Sequence, residues 1–138
     1  MDEETIIRLI NSALNIREHS YAPYSEFRVG AALLGESGRI YTGVNVENSS
    51  YPAGICAEQA AVCKAVSEGE RSFKAIAIAG GNEVSGSESL KQFCYPCGIC
   101  RQVLSEHCSE GFQVIGAKSI HEYLSYSLRD LLPFSFSL

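Results

Sequence analysis

Ile55-Cys56-Ala57-Glu58 and Pro96-Cys97-Gly98-Ile99-Cys100 are the two stretches from which the rest of the chain is read. Each opens a run with helical character, and each helix is followed by an apolar strand-like run. Ile55 to Glu68 is alanine-rich and stops at Gly69, as a helix with a C-terminal glycine does. Pro96 suits a first helical turn, and that helix runs to about Cys108, stopping at Gly111. Phe73 to Ala79 and Phe112 to Ala117 then read as buried strands. Upstream, Phe27 to Leu34 and Arg39 to Val46 flank Gly35-Glu36-Ser37-Gly38, which predicts a β-hairpin. From Asp2 to about His19, Ile6, Ile7, Ile10 and Leu14 keep helical spacing, as do Leu9, Ala13 and Ile16. Glu47 to Gly54 and Gly80 to Ser89 read as loops, and Ser127 to Leu132 as a short helix ended by Pro133.

The order is therefore α-β-β-α-β-α-β-α. The hairpin supplies antiparallel strands, and the later β-α-β crossovers supply parallel ones, right-handed by default. This predicts an α/β fold, a three-layer α/β/α sandwich around one mixed sheet. No Pro/Gly/Ser-rich linker divides the chain, so residues 1–138 are expected to form a single domain.

Composition narrows the function classes. Hydrophobic residues make up 46 %, enough for a core and too many for wholesale disorder. Eleven basic against 16 acidic residues give a formal charge of −5. Nucleic-acid polymers are held chiefly by basic side chains on phosphates, so they are not the expected partner. A small uncharged ligand is. The start, Met-Asp-Glu-Glu, is acidic where a secretory signal would be basic and then apolar, and no apolar run is long enough to span a membrane. The expected address is the cytoplasm. There, the six cysteines read better as metal ligands or core thiols than as disulfides.

Cys56 and the Cys97-x-x-Cys100 pair sit where helices begin. The partial positive charge and free N–H groups of a helix N-terminus favour thiolates, which is the form zinc binds. Three protein ligands leave a fourth tetrahedral position to water, and zinc lowers the pKa of bound water to about 7. Glu58, two residues after a ligand, would move protons beside the metal without ligating it. Other readings stay open at this point. Cys97 and Cys100 as a redox pair would want a thioredoxin-like setting, Cys94-x-x-Cys97-x-x-Cys100 resembles part of an iron–sulfur pattern but has Leu104 where a fourth cysteine is needed, and Cys63 or Cys94 would close a structural zinc site. The last of these leaves Glu58 without a role.

These residues resemble the cytidine deaminases of the small homotetrameric kind, and the likeness runs nearly end to end. It is carried by Tyr21-Ala22-Pro23-Tyr24-Ser25-Glu26-Phe27-Arg28-Val29-Gly30-Ala31-Ala32, by Asn45-Val46-Glu47-Asn48 followed by Tyr51, and by the two cysteine motifs, the second continuing into Arg101-Gln102. Glu122 to Pro133 resembles the family's C-terminal helix, with Phe136 as its closing aromatic. The resemblance implies one Zn²⁺ per subunit on Cys56, Cys97 and Cys100, with Glu58 as the catalytic proton carrier. It implies hydrolysis of cytidine and 2′-deoxycytidine to uridine and 2′-deoxyuridine with release of ammonia. Asn45 and Glu47 would hydrogen-bond the ribose 3′-hydroxyl. The Ala57 N–H would meet the base carbonyl, and Phe27 would pack on the nucleoside. Phe136, from a neighbouring subunit, would cover the pyrimidine, and Tyr51 would stand in the subunit contacts of a homotetramer.

Two runner-up functions follow from the same motifs. One is deamination of a modified cytosine nucleoside such as blasticidin S. The other is a non-catalytic, zinc-stabilised oligomer that only binds nucleosides. The chain departs from the family pattern at Gln59, where arginine is common and offsets the charge of three thiolates. Arg101 and the helix N-termini are the expected compensation. It departs again at Tyr95, a bulky residue near the pocket where a small one is usual. Cys63 and Cys108 read as core thiols, and His19, His107 and His121 as solvated.

Overall fold

A computed structural model describes residues 1–84 and 89–138, so residues 85–88 of the loop expected at Gly80 to Ser89 lie outside the described residues. Helix α1 (Glu3–Ile16) opens with Asp2, whose side chain accepts from Thr5 N at 2.9 Å, and acidic Glu3 and Glu4 suit its first turn. Its buried Leu9, Ile10 and Ala13 follow the helical spacing of the sequence. A short 3-10 turn, Arg17–His19, continues it.

Strands β1 (Arg28–Gly35) and β2 (Ile40–Val44) form the hairpin, with Leu34 opposite Ile40 and Gly38 at φ 92° in the turn. Helix α2 (Ala57–Ser67) follows and gives way at Gly69, φ 95°, the C-terminal glycine expected there. Then come β3 (Phe73–Gly81), α3 (Gly98–His107) and β4 (Cys108–Ala117). The sheet runs β2-β1-β3-β4-β5. β1 is antiparallel to both neighbours, β3 and β4 are parallel, and β5 (Tyr123–Ser127) returns antiparallel along β4.

Side-chain alternation splits the core into two faces. Ala32, Leu34, Ala75, Ala77 and Ala79 meet Leu9, Ile10 and Ala13 of α1 on one side. Ala31, Leu33, Ile76, Ile78 and Val114 meet Ala57, Ala61, Val62 and Leu104 of α2 and α3 on the other, with Leu128 of α4 (Leu128–Leu131). This is the three-layer mixed-sheet sandwich expected. Among the described residues no helix is long and apolar enough to cross a membrane.

The C-terminal region corrects the reading from sequence. Glu122 to Pro133 is not one helix: Tyr123–Ser127 forms β5, and α4 holds four residues. The strand is short, its middle three residues are exposed, and its only apolar alternation, Leu124 and Tyr126, is too brief to read as a strand. Pairing with β4 specifies it, and that pairing is not a local property. Boundaries differ by a few residues elsewhere. β2 ends at Val44 and α3 begins at Gly98, which leaves Asn45 just past a strand and Cys97 at a helix N-cap. β4 starts at Cys108, with a register shift against β3 between Phe73 and Ala75.

Two glycines in the hairpin let helices approach the sheet. A Cβ at Gly30 would stand 2.1 Å from Ala13 O of α1, and a Cβ at Gly43 would stand 2.4 Å from Ala57 O and 2.5 Å from Ala61 N of α2. The second contact seats the first turn of α2 directly on β2. Gly43→Ala is expected to lower the unfolding free energy by about 1–3 kcal/mol through overpacking against backbone. A thermal melt checks this, with Gly98→Ala as control: nothing lies within 4 Å of a Cβ there, so its midpoint should not fall.

Candidate metal centre and pocket

Cys56 is the N-cap of α2 and Cys97 the N-cap of α3. Both have extended backbone, so each side chain lies at the open end of its helix. Cys100 is one turn into α3 and fully buried. The three Sγ atoms lie within 4.8 Å of one another, with Cys56 and Cys97 Sγ 3.9 Å apart. With Zn–S bonds of about 2.3 Å, tetrahedral geometry places sulfurs about 3.8 Å apart. The donor set therefore fits zinc in both chemistry and spacing. Neither Cys63 nor Cys94 falls in that group, so the closed four-thiolate and iron–sulfur readings each lack a ligand.

Of Cys56 and Cys100, Cys56 takes negative charge more readily. Hydrogen bonding first from the Cys100 thiol, and also from Cys97, lowers its pKa to about 6 against the cost of burial. Cys100 is pushed strongly upward, because its proton is held on Cys56 and because it is buried. Gln59 Oε1 accepts from Cys56 N at 3.2 Å and so completes the cap rather than facing the sulfurs with charge. Arg101 Nε donates to Pro96 O at 2.8 Å and Nη1 to Leu131 O at 2.6 Å, so its hydrogen bonds go to the backbone.

Glu58, in the first turn of α2, is 4 % exposed. Burial pushes its pKa up to about 7, and neighbouring Cys56 adds to the rise. A cleft of ≈ 300 Å³ brings Glu58 together with Cys56, Cys97, Ala57, Asn45 and Glu47, and Val29, Cys94 and Tyr95 close its walls. A group poised near neutrality in a cleft beside metal ligands is the pattern of a catalytic acid–base. Cys94 is a neutral thiol there, raised to about 12 by burial. The Tyr95 ring is accommodated at Gly116, where a Cβ would come within 2.8 Å of it, and packs edge-on to Tyr126 at 5.6 Å. A cavity of ≈ 450 Å³ beside Ser105, Cys108 and Arg129 is roomier but lies away from the cysteine cluster.

The polar wall is preorganised. Asn45 Oδ1 accepts from Val29 N at 2.9 Å and Nδ2 donates to Phe27 O at 2.8 Å, so one side chain takes the place of a further residue of the strand ladder. Glu47 Oε1 accepts from Tyr24 N and Ser25 N, and Oε2 from the Ser25 hydroxyl. The Ser25 bond in particular holds the carboxyl below its ordinary pKa. Sequence reasoning passes over Ser25, although the Ser-x-Phe spacing is that of a hydroxyl turn: its oxygen accepts from Phe27 N at 3.0 Å. It also passes over Arg17, buried on Arg28 O, Gly81 O and Glu83 O beneath the same loops.

Phe27 is half-buried behind the cleft, close to Gly80 and not in the cleft wall itself. Tyr51 is 84 % exposed and borders an adjoining hollow with Tyr24 and Glu47. Phe136 is 69 % exposed on the C-terminal tail. Within one chain, then, these two aromatics stay outside the cleft.

A family model described as the cytidine and deoxycytidylate deaminase zinc-binding region matches residues 3–115. The probable cytidine deaminase of Dictyostelium discoideum is 44 % identical over 137 residues, 99 % of this chain and 87 % of that one. The cytidine deaminase of Sporosarcina psychrophila is 44 % identical over 130 residues, covering 94 % and 90 %. Among solved structures, the cytidine deaminase of Burkholderia pseudomallei superposes with a TM-score of 0.82 at 39 % identity, covering 94 % of this chain and 97 % of that one. The enzyme from Mycobacterium tuberculosis gives 0.78 at 39 %, covering 95 % and 96 %.

The raised pKa of Glu58 ties stability to pH with a definite sign. Below its ordinary value of 4.5 the carboxyl is protonated folded and unfolded alike. Between 4.5 and about 7 only the unfolded chain gives up the proton, so stability falls as pH rises, and it levels off above. Glu58→Gln should therefore stabilise the zinc-stripped protein at pH 8 by roughly 2–4 kcal/mol, at about 1.4 kcal/mol per pKa unit. It should do little at pH 4.5, and denaturant melts at the two pH values measure the difference.

Proposed function

The chain belongs to the cytidine and deoxycytidylate deaminases, and on that premise we propose how it works as an enzyme that hydrolyses cytidine and 2′-deoxycytidine to the uracil nucleosides and ammonia. The observation that carries the mechanism is the buried carboxyl of Glu58, near neutral pKa, in the cleft lined by Cys56 and Cys97, whose thiols cluster with that of Cys100. Zinc on those three sulfurs supplies Lewis acidity and an activated water.

Glu58 does the proton work. Poised near 7, it takes a proton from the attacking water and delivers it to ring N3, then carries a second to the amine as ammonia leaves. Ala57, at the first position of α2, offers its N–H to the base carbonyl. Asn45 keeps a second amide hydrogen, and Glu47 keeps lone pairs, after their backbone bonds are made. Both are thus free to hold the ribose 3′-hydroxyl without rearranging. Phe27, held at its carbonyl by Asn45, packs behind the nucleoside. Gln59 brings no charge to the sulfurs, so Arg101, next to Cys100, and the two helix N-termini are left to balance the thiolates.

The chain acts as a single domain and as a homotetramer. Support comes from large apolar side chains left in solvent, Val46 and Ile55 in the cleft wall and Tyr51, Ile99 and Phe136 elsewhere. Phe136 of one subunit covers the pyrimidine in the next, and Tyr51 lies in the contact between them. We also assign the enzyme to the cytoplasm, which its free cysteines support, and to pyrimidine salvage.

Glu58→Gln should hold a full complement of zinc and lose about 10²–10⁴-fold in kcat, followed by the ultraviolet change on adding cytidine. Retained activity in that variant rejects the mechanism, and a zinc-loaded wild type inert towards cytidine rejects the substrate. Phe136→Ala should raise KM at unchanged zinc content, with light scattering giving a mass of four chains. A monomeric, fully active wild type rules out the shared site.

A further inference from the structure

Arg101 lies outside the substrate cleft, yet its guanidinium joins the turn before Cys97 to the end of α4. Nε donates to Pro96 O, the carbonyl that immediately precedes the metal ligand Cys97. Nη1 donates to Leu131 O at the end of α4, 2.6 Å away. Its own N–H caps onto Cys97 O at 2.9 Å. One residue further on, Gln102 Nε2 reaches Phe136 O at 3.4 Å. Arg101 is half-buried, Pro96 is buried, and Leu131 packs its side chain on the core beneath α3. The planar fork of arginine spans two carbonyls at once; a lysine ammonium is a point donor on a flexible stem and does not reproduce that geometry.

We infer that Arg101 is a positioning residue that braces the Cys97–Cys100 metal clamp against α4, so that retention of zinc and docking of the C-terminal tail strengthen one another. With the fork in place, the peptide before Cys97 is held and the thiol stays where the other two sulfurs need it. With the clamp closed on zinc, the Pro96 carbonyl stays where the guanidinium can also reach Leu131. Coupling of this kind is reciprocal by necessity. The tail held in this way is the one that carries Phe136, so the brace also aims the aromatic assigned to a neighbouring subunit. The inference rests on zinc occupying the three thiols, and its test is separable from that reading.

The test uses the full-length zinc-loaded protein, with Arg101→Lys and Arg101→Gln beside it. Zinc release is followed with a chromogenic chelator, and hydrogen exchange is measured on peptides covering residues 128–138 and, as reference, residues 28–35 of β1. Both variants should release zinc roughly tenfold faster or more, the scale of one lost charge-assisted hydrogen bond. Lysine should not rescue, and exchange should rise over 128–138 while β1 is unchanged. In the wild type, stripping zinc should raise exchange over 128–138 in the same way, which needs no variant to fold. Wild-type zinc retention in Arg101→Lys overturns the brace, because charge alone would then be sufficient. Equal loosening of β1 on zinc removal also overturns it. A wild type purified without zinc rejects the metal reading and the brace together.

Discussion

The site depends on how closely α2 can approach β2. Gly43 lets the carbonyl of Ala57 and the amide of Ala61 come to a distance at which any side chain would collide. A helix seated there has its first turn fixed against the sheet, not merely resting on it through side chains. Cys56 becomes the cap of that turn and Glu58 its buried acid. A helix displaced outward by a methyl group would still be a helix. Its cap thiol would no longer stand 3.9 Å from the thiol of Cys97.

The second helix reaches the same point by another route. α3 is held at its start by the Pro96 carbonyl bonded to Arg101, and at its buried flank by Cys100 and Leu104. The sheet order places β1 and β3 side by side, which brings the two helix starts to one end of the molecule. There the surroundings favour charge on the Cys56 sulfur and disfavour it on Glu58. Cys56 is lowered by hydrogen bonds from its neighbours, and Glu58 is raised by burial. A carboxyl kept near neutral pKa costs stability at working pH, a common burden of catalytic groups. The polar wall of the cleft shows the complementary strategy. Asn45 and Glu47 are tied to the backbone of residues 24–29, so the proposed ribose contacts need not order them.

Much of this is legible in the chain, and the exceptions have physical causes. Helix α1 carries its own apolar periodicity, and α2 its alanines and terminal Gly69, so local reading finds both. β5 escapes it because its only apolar alternation is Leu124 and Tyr126, a short pair that stays exposed; its place comes from hydrogen bonds to β4. Asn45 reads as a strand residue in the sequence; β2 ends one residue earlier, and the Asn45 side chain adds two bonds to the one its own N–H still makes to Val29 O at 3.3 Å. Arg17 escapes notice because a charged residue at a helix end looks solvated. Only the end of β3 and the start of β1, packed around it, show it to be buried.

The sequence by itself pointed to the cysteine ligands, to Glu58 beside them and to the helix starts that bear them. Those are properties of residue chemistry and short spacing: a Cys-x-x-Cys at a helix N-terminus and a Cys-Ala-Glu at another. Tertiary structure alone decided that three sulfurs from two distant segments converge, since that distance is set by sheet order and by the backbone contact at Gly43. It also decided that Glu58 is buried deeply enough to hold a proton near neutral pH, because desolvation depends on what surrounds the group and not on its neighbours in the chain.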